Sequence, residues 1–391
     1  MMLSPKPFRL LAPLLGGVIA LAACGGQPSA PAPTISAPTA APANSRPQEP
    51  TSTPAPIAPP TLAPKVASSG QPAPTVAPEP SAVPAPAGEA SAGAFGLARG
   101  TLTRRPIIVM IDNHPDAYPQ TGLDRAAVVF EALAEFGVTR FMALYAPGVT
   151  PEAPQIGPIR STRLYFAQWA MGFHALYAHA GGSPQGLELV ESTDQLVNLD
   201  ALKEANWSYF ARDSDRDPPH NLYTNSADLE RAAKSLGIAD LAQPDLGFLF
   251  KSDAPESQRP AAQDIGYYFI YREDNAGWSY DPKTNGYLRL RRGKPARDAA
   301  TDQQLWAKDV VVIEIKEAPI AGDPKGRIEQ DVIGSGRARV FMDGVEREVT
   351  WRKDAPEAPL RFFDDASNET RLNAGPVWIV ALPSLDNLTV K

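Results

Sequence analysis

An α/β domain with a mixed sheet over residues 97–250, followed by a mainly antiparallel β domain over 263–391, is the architecture this chain predicts. Three features carry it. Residues 97–250 alternate short apolar runs with helix-spaced segments that open on capping residues. Beyond 263, Asn285-Gly286 and Asp343-Gly344 each separate alternating strand-like runs, the strongest short-range hairpin signal. No long amphipathic helical pattern interrupts that second stretch, and the Ala-, Pro- and Gln-rich segment 251–262 reads as the link between the two.

In the first domain Ile107–Ile111 is a continuous apolar run suited to a strand buried on both faces. Val128–Leu133, Val138–Tyr145 and Ala175–Ala178 read as further strands. Ser161 reads as the N-cap of a helix over Thr162–Met171. Ser183 followed by Pro184 reads as the cap and first residue of a second helix, running to Glu191. A third covers Ser226–Leu236, with Gly237 as its stop. In the second domain Tyr280–Leu290 and Val340–Trp351 are the hairpins, and Val310–Ile315 and Val377–Leu382 add apolar strands.

Ahead of these domains the chain carries an address. Lys6 and Arg9 precede an apolar run from Leu10 to Ala23, the layout of a secretory signal over residues 1–23, and too short for a comfortable membrane span. It ends in Leu21-Ala22-Ala23-Cys24, which resembles a bacterial lipoprotein signal. That resemblance implies cleavage before Cys24, lipidation of its sulfur and display outside the cytoplasm, with the membrane as a partner. Cys24 is the single cysteine, so disulfides, cysteine catalysis and thiolate zinc sites are excluded. The segment 24–96 collapses to Pro, Ala, Ser and Thr. It holds eighteen of the 42 prolines between Gly25 and Gly93, too little apolar surface to offset ordering entropy, and is read as a disordered tether. About 70 such residues span on the order of 50 Å as a flexible coil. The formal charge of −7 becomes −9 once Lys6 and Arg9 leave with the signal. With no basic stripe, a nucleic-acid partner is not expected.

All four histidines, His114, His174, His179 and His220, fall between Met110 and Tyr223. Asp112, Asn113 and His114 directly follow the first strand, and His179 follows the strand at 175–178, where α/β folds gather ligands. The turn Gly181-Gly182-Ser183 then enters a helix, an arrangement that offers backbone N–H groups to an anion or serves as an ordinary cap. Arg160 and Arg163 flank Ser161 at a positive helix end and call for a compensating anion, either a protein carboxylate such as Glu131, Glu135 or Asp112 or a bound ligand. The charged loop Arg212–Asn221 closes on Pro218-Pro219-His220-Asn221 and suits a lid or a site wall. His174, beside Phe173, reads as structural.

Asp112, His114, His179 and His220 form an oxygen–nitrogen donor set, but their spacing matches no metal motif, so neither a metal nor a cofactor is expected. Asp112, His179 and His220 are the candidate catalytic groups. No nucleophile elbow accompanies them. The expected ligand-binding set is Asp112, Asn113, His114, Arg160, Ser161, Arg163, His179, Gly181, Gly182, Ser183, His220 and Asn221. A dense polar site without a complete catalytic signature favours binding of an anionic or polar envelope glycan or peptide. The alternatives are an envelope hydrolase or transferase using His179 or His220, and an adaptor acting through a protein partner.

The motifs Arg105-Pro-Ile-Ile-Val-Met-Ile-Asp-Asn-His-Pro-Asp-Ala117, Pro119-Gln-Thr-Gly-Leu123, Ile156-Gly-Pro-Ile-Arg-Ser161, His179-Ala-Gly-Gly-Ser-Pro-Gln185 and His220-Asn-Leu-Tyr223 resemble the YerB-like bacterial lipoproteins. Gly334-Ser335-Gly336, Trp351-Arg352-Lys353 and Ala358-Pro359-Leu360-Arg361-Phe362 extend the resemblance, which covers 104–385. It implies a two-domain lipoprotein with an α/β head and a β-rich tail, and no established reaction. One departure stands out. Where the family pattern reads Glu-Gly-Gly-Ile-Thr-Arg, this chain has Glu135-Phe136-Gly137-Val138-Thr139-Arg140.

Overall fold

A computed structural model describes residues 96–100, 102–238 and 246–391, all within one compact unit. The signal sequence, Cys24 and nearly all of the Pro-rich segment lie outside the described residues. No described helix is long and apolar enough to cross a membrane.

A ten-stranded mixed sheet organises the fold. Its first-half strands are β1 (Ile107–Asp112), β2 (Val128–Glu135), β3 (Val138–Tyr145), β4 (Leu176–His179) and β5 (Val197–Asp200). The second half first contributes β6 (Asp264–Tyr267), β7 (Ala276–Asp281) and β8 (Gly286–Arg291), which form a separate antiparallel sheet. It then returns strands to the large sheet: β9 (Asp309–Glu314), β10 (Gly334–Met342), β11 (Val345–Lys353), β12 (Arg361–Phe363) and β13 (Val377–Leu382). The last strand, β14 (Leu388–Val390), pairs with β6. The large sheet runs β12-β11-β10-β9-β13-β2-β3-β1-β4-β5.

The join between the halves is parallel. β13 lies between β9 and β2, with Val377 opposite both Asp309 and Val128. Val377–Leu382 is buried throughout, as expected of a strand covered on both faces. Alternate side chains feed two cores. Ile108, Met110, Phe130 and Val311 pack under α1 (Leu164–Met171) and α2 (Pro184–Ser192). Ile107, Val109, Val129 and Val310 pack against α3 (Ser226–Ser235) and against Tyr267, Trp278 and Tyr287 of the second sheet.

Several local expectations meet the structure closely. β3 and β13 span the residues expected of them. Ser183 caps α2, its Oγ accepting from Gly186 N at 3.2 Å, with Pro184 in the first turn. Asp343 and Gly344 both have positive φ, +55° and +71°, in a two-residue hairpin turn between Met342 and Val345. The other hairpin differs. Asp281 pairs with Gly286, so Asn285 closes a four-residue loop and Gly286 is already strand. Helix α1 also starts later than expected: its N-cap is Arg163, with no side-chain cap, because Thr162 is held against the β4–α2 turn by pairing with Gly181 and Ser183. Phe136 and Gly137 make the β2–β3 turn with φ of +52° and +80°. Two positive-φ positions in succession explain a Gly-Gly family pattern there; here an exposed phenylalanine occupies the first.

A carboxyl pair ties the β1–β2 connection to the second half. Asp124 Oδ1 and Asp298 Oδ2 are buried without another partner, while Thr301 Oγ1 donates to Asp124 Oδ2 at 2.8 Å and Ala300 N donates to Asp298 at 3.0 Å. Burial, then the Asp124 charge, pushes the Asp298 carboxyl up to about 6. The folded state therefore keeps a proton that the unfolded chain releases near pH 4. Stability contributed by this group falls as pH rises from about 4 to about 6 and stays low above that. Asp298→Asn is expected to stabilise the protein at pH 8 by on the order of 2 kcal/mol and to change little at pH 4. Denaturant melts of both proteins across that range check it; a variant equally destabilised at both pH values would show that the pair shares no proton.

Candidate functional site

The carboxyl end of β1 gathers the polar residues the sequence singled out. Asp112, only 2% exposed, ends the strand. Its Oδ2 accepts from His220 Nδ1 at 2.7 Å, and its Oδ1 accepts from the His114 backbone N–H at 3.1 Å. Arg160 Nε lies 2.9 Å from the same Oδ2 as an ion pair, although its N–H is not aligned for a hydrogen bond and is buried without one. One carboxylate thus seats a guanidinium and an imidazole side by side.

Backbone pairing explains why these distant residues meet. Arg160 N donates to Met110 O on β1, and Ala180 N, just past β4, donates to Arg160 O. Ile159 N donates to Leu222 O, which delivers the loop ending at His220. Arg216 then fastens that loop to the 116–119 turn, donating to the carbonyls of Asp116, Tyr118 and Pro119 and to Tyr223 Oη. The His114 and His220 rings stack, with centroids 4.8 Å apart and 15° between planes. The terminal nitrogens of Arg160 and the Nε2 of His220 have no hydrogen-bond partner among the described residues, and the Arg160 side chain is 28% exposed.

The other expected site residues lie elsewhere or are spent on the protein. Asn113 is buried, donating to Thr139 Oγ1 at 2.6 Å and accepting from Tyr118 Oη and Gln120 Nε2. His179 is fully buried, with Nδ1 on the Gly181 carbonyl and Nε2 on Asn198 Oδ1, both at 2.9 Å. Neither nitrogen is open to a substrate. In the following turn Gly181 N donates to Asp200 Oδ1, Ser183 N donates to Thr162 O, and Ser183 Oγ caps α2. A Cβ on Gly182 would meet Thr162 Cγ2 at 2.6 Å, so this glycine permits close packing of the chain. Arg163 and Arg140 both bond Glu135, and Arg140 also donates to Ser161 O. Although burial opposes its charge, those two arginines hold the Glu135 carboxyl below its ordinary range. Asn221 braces the loop, accepting from Arg212 and donating to Asp213 O. His174 stands apart, in a positive-φ turn with φ of +48°.

Asp116 and Arg216 join the cluster without having been singled out. Both sit in segments marked as polar, but nothing in their spacing shows that one clamps the backbone of the other. His114, Asp116 and His220 each bring one donor atom within 4.8 Å of the other two. The neighbouring cavity, which shares the Asn113 and Pro115 wall, has a volume of about 40 Å³. That is room for a water or two, and Asp112, His114, Arg160 and His220 do not line it.

The comparisons agree with this architecture. Two family models, the N-terminal and C-terminal domains of a protein of unknown function (DUF3048), match residues 93–239 and 267–379. Over 295 residues the chain is 31% identical to "Putative lipoprotein YerB" of Bacillus subtilis (strain 168), spanning 73% of this chain and 84% of that one. It also aligns with the crystal structure of the YerB protein from Bacillus subtilis at a TM-score of 0.64 and 29% identity, covering 74% of this chain and 94% of the other. With both halves matched in order and the fold shared, the chain belongs to the YerB-like, two-domain DUF3048 family.

Proposed function

We propose that this is a lipid-anchored, extracytoplasmic binding protein whose Arg160–His220–His114 cluster takes an anionic group, a phosphate or carboxylate, of a cell-envelope ligand. One observation carries the reading: the buried Asp112 carboxylate seats Arg160 and His220 together, while the guanidinium's terminal nitrogens bond nothing among the described residues. A planar fork of donors beside an imidazole matches an oxyanion in shape and charge. The position at the end of β1, beside the parallel strand β4, is where such sheets place ligands. The anchor rests on the Leu21–Cys24 motif and on the lipoprotein name of the relative.

A second reading has its own support. A carboxylate bonded to His220 Nδ1 is the arrangement that orients a general base. Among the described residues no hydroxyl is hydrogen-bonded to His220, so in this reading the group it would activate is a water or a substrate hydroxyl.

The test is thermal unfolding of the full chain in inorganic phosphate. Phosphate at about 100 times its dissociation constant adds about 2.7 kcal/mol. Arg160→Ala is expected to weaken phosphate binding at least tenfold, and Arg160→Lys, which keeps charge and loses the fork, to fall between. If wild type shows no shift and Arg160→Ala is merely less stable, Arg160 only neutralises Asp112 and the anion site is lost.

A further inference from the structure

We propose a divalent transition-metal site, best matched to zinc, formed by His114, Asp116 and His220. It shares His114 and His220 with the anion cluster but does not require an anion to bind there. The donor atoms already converge, each within 4.8 Å of the other two. Zinc takes nitrogen and oxygen donors at about 2.0–2.2 Å, so the donors must close further. Asp116, whose side chain is 74% exposed, lies at the surface and is free to swing inward; His114 would exchange its cap bond from Asp116 N and its stack on His220 for the ion.

His220 is the fixed member. Its Nδ1 is bonded to the buried Asp112 carboxylate, leaving Nε2 as the coordinating atom. A carboxylate behind a histidine ligand fixes the ring and strengthens it as a donor. The second ligand segment is fixed as well. His114 caps the turn Pro115–Ala117, its Nδ1 accepting from Asp116 N at 3.2 Å, and Arg216 ties the Asp116 carbonyl to the loop that carries His220. The two histidines therefore stand stacked on two segments that are bonded to each other.

Charge is compatible with a cation. Arg160 is paired with Asp112, and Arg216 is spent on carbonyls and Tyr223, which leaves the Asp116 carboxylate to face the ion. Two imidazoles and one carboxylate suit zinc and its neighbours; calcium and magnesium take oxygen-rich sets. Three protein ligands leave a coordination position open.

The experiment uses the full chain, free of any histidine tag and stripped with EDTA, titrated with zinc chloride by calorimetry, with magnesium chloride alongside. Wild type is expected to take up one zinc per chain and to retain it through gel filtration, with no magnesium uptake. Asp116→Asn, a surface change that leaves the metal-free melting temperature unaltered, is expected to weaken zinc at least tenfold, as is His114→Ala. Asp112→Asn, which removes no ligand, is expected to weaken it by about 10- to 100-fold. No retained zinc in wild type, or undiminished affinity in the His114→Ala/Asp116→Asn double variant, overturns the site. Phosphate titrations in EDTA separate the two readings. Phosphate bound without zinc uptake sinks the metal site alone. Zinc uptake with no phosphate bound, in EDTA or with zinc present, keeps the metal site and sinks the anion reading.

Discussion

Glu131→Ala is expected to destabilise the protein by about 3–5 kcal/mol, the cost of stranding a buried charge. Glu131 lies on β2, on the face turned to the second sheet, and is 2% exposed. Its Oε1 accepts from Arg289 Nη2 at 2.9 Å; its Oε2 accepts from Tyr267 Oη at 2.8 Å and Trp378 Nε1 at 3.1 Å. Arg289 packs over the rings of Trp278 and Trp378, 4.9 and 4.6 Å from their centroids. Burial works against its charge, yet Glu131 holds Arg289 above its ordinary value. Removing the carboxylate leaves a guanidinium, an indole N–H and a phenol facing a small cavity without an acceptor. Replacing both charges, in Glu131→Ala/Arg289→Met, is expected to recover part of the loss: no buried charge is then stranded, while Tyr267 Oη and Trp378 Nε1 still lack their acceptor. Denaturant unfolding of the two single variants and the double variant gives the coupling. A single variant within about 1 kcal/mol of wild type, below that cost, would show that solvent reaches Arg289.

The second large effect is on binding. Asp112→Ala removes the group that seats Arg160 and His220, and phosphate affinity is expected to fall by at least tenfold, with any metal affinity falling alongside it. Some of the change also reaches stability, because the His114 backbone N–H loses its acceptor and Arg160 its counter-charge. Asp112→Asn isolates the functional part: the amide still accepts a hydrogen bond at little change in volume, but the charge is gone. Phosphate titrations of Asp112→Ala, Asp112→Asn and wild type, each with its own melting curve, check this. Equal affinity in all three would mean that Asp112 supports the backbone only.

Much of the fold could be read locally. The apolar run Val377–Leu382, the alternation through Val138–Tyr145, the Ser183-Pro184 cap and the Asp343-Gly344 turn depend on residues a few positions apart, so sequence reveals them. The start of α1 was less legible. Arg163 is drawn to Glu135, 28 residues away, and Thr162 to the β4–α2 turn, contacts that compete with a local cap at Ser161. The candidate site divides the same way. The motif residues Asp112, His114, Arg160 and His220 were visible as polar groups after strands and beside prolines. That His179 is sealed by Asn198 and Gly181, while His220 keeps one nitrogen open, was not.

By itself, the sequence determined the α/β and β-rich halves and most of their strands and caps, and it carries the lipoprotein-like motif ending at Cys24 and the segment that holds all four histidines. Only the tertiary structure decided that β13 inserts between β9 and β2 and joins the halves in one sheet. Only it decided that Asp112 meets His220 across 108 positions, or that Glu131 neutralises Arg289 across 158. The reason is physical: periodicity, capping and turn chemistry act over a few residues, whereas parallel strand pairing and buried charge compensation are set by which faces the whole chain brings together.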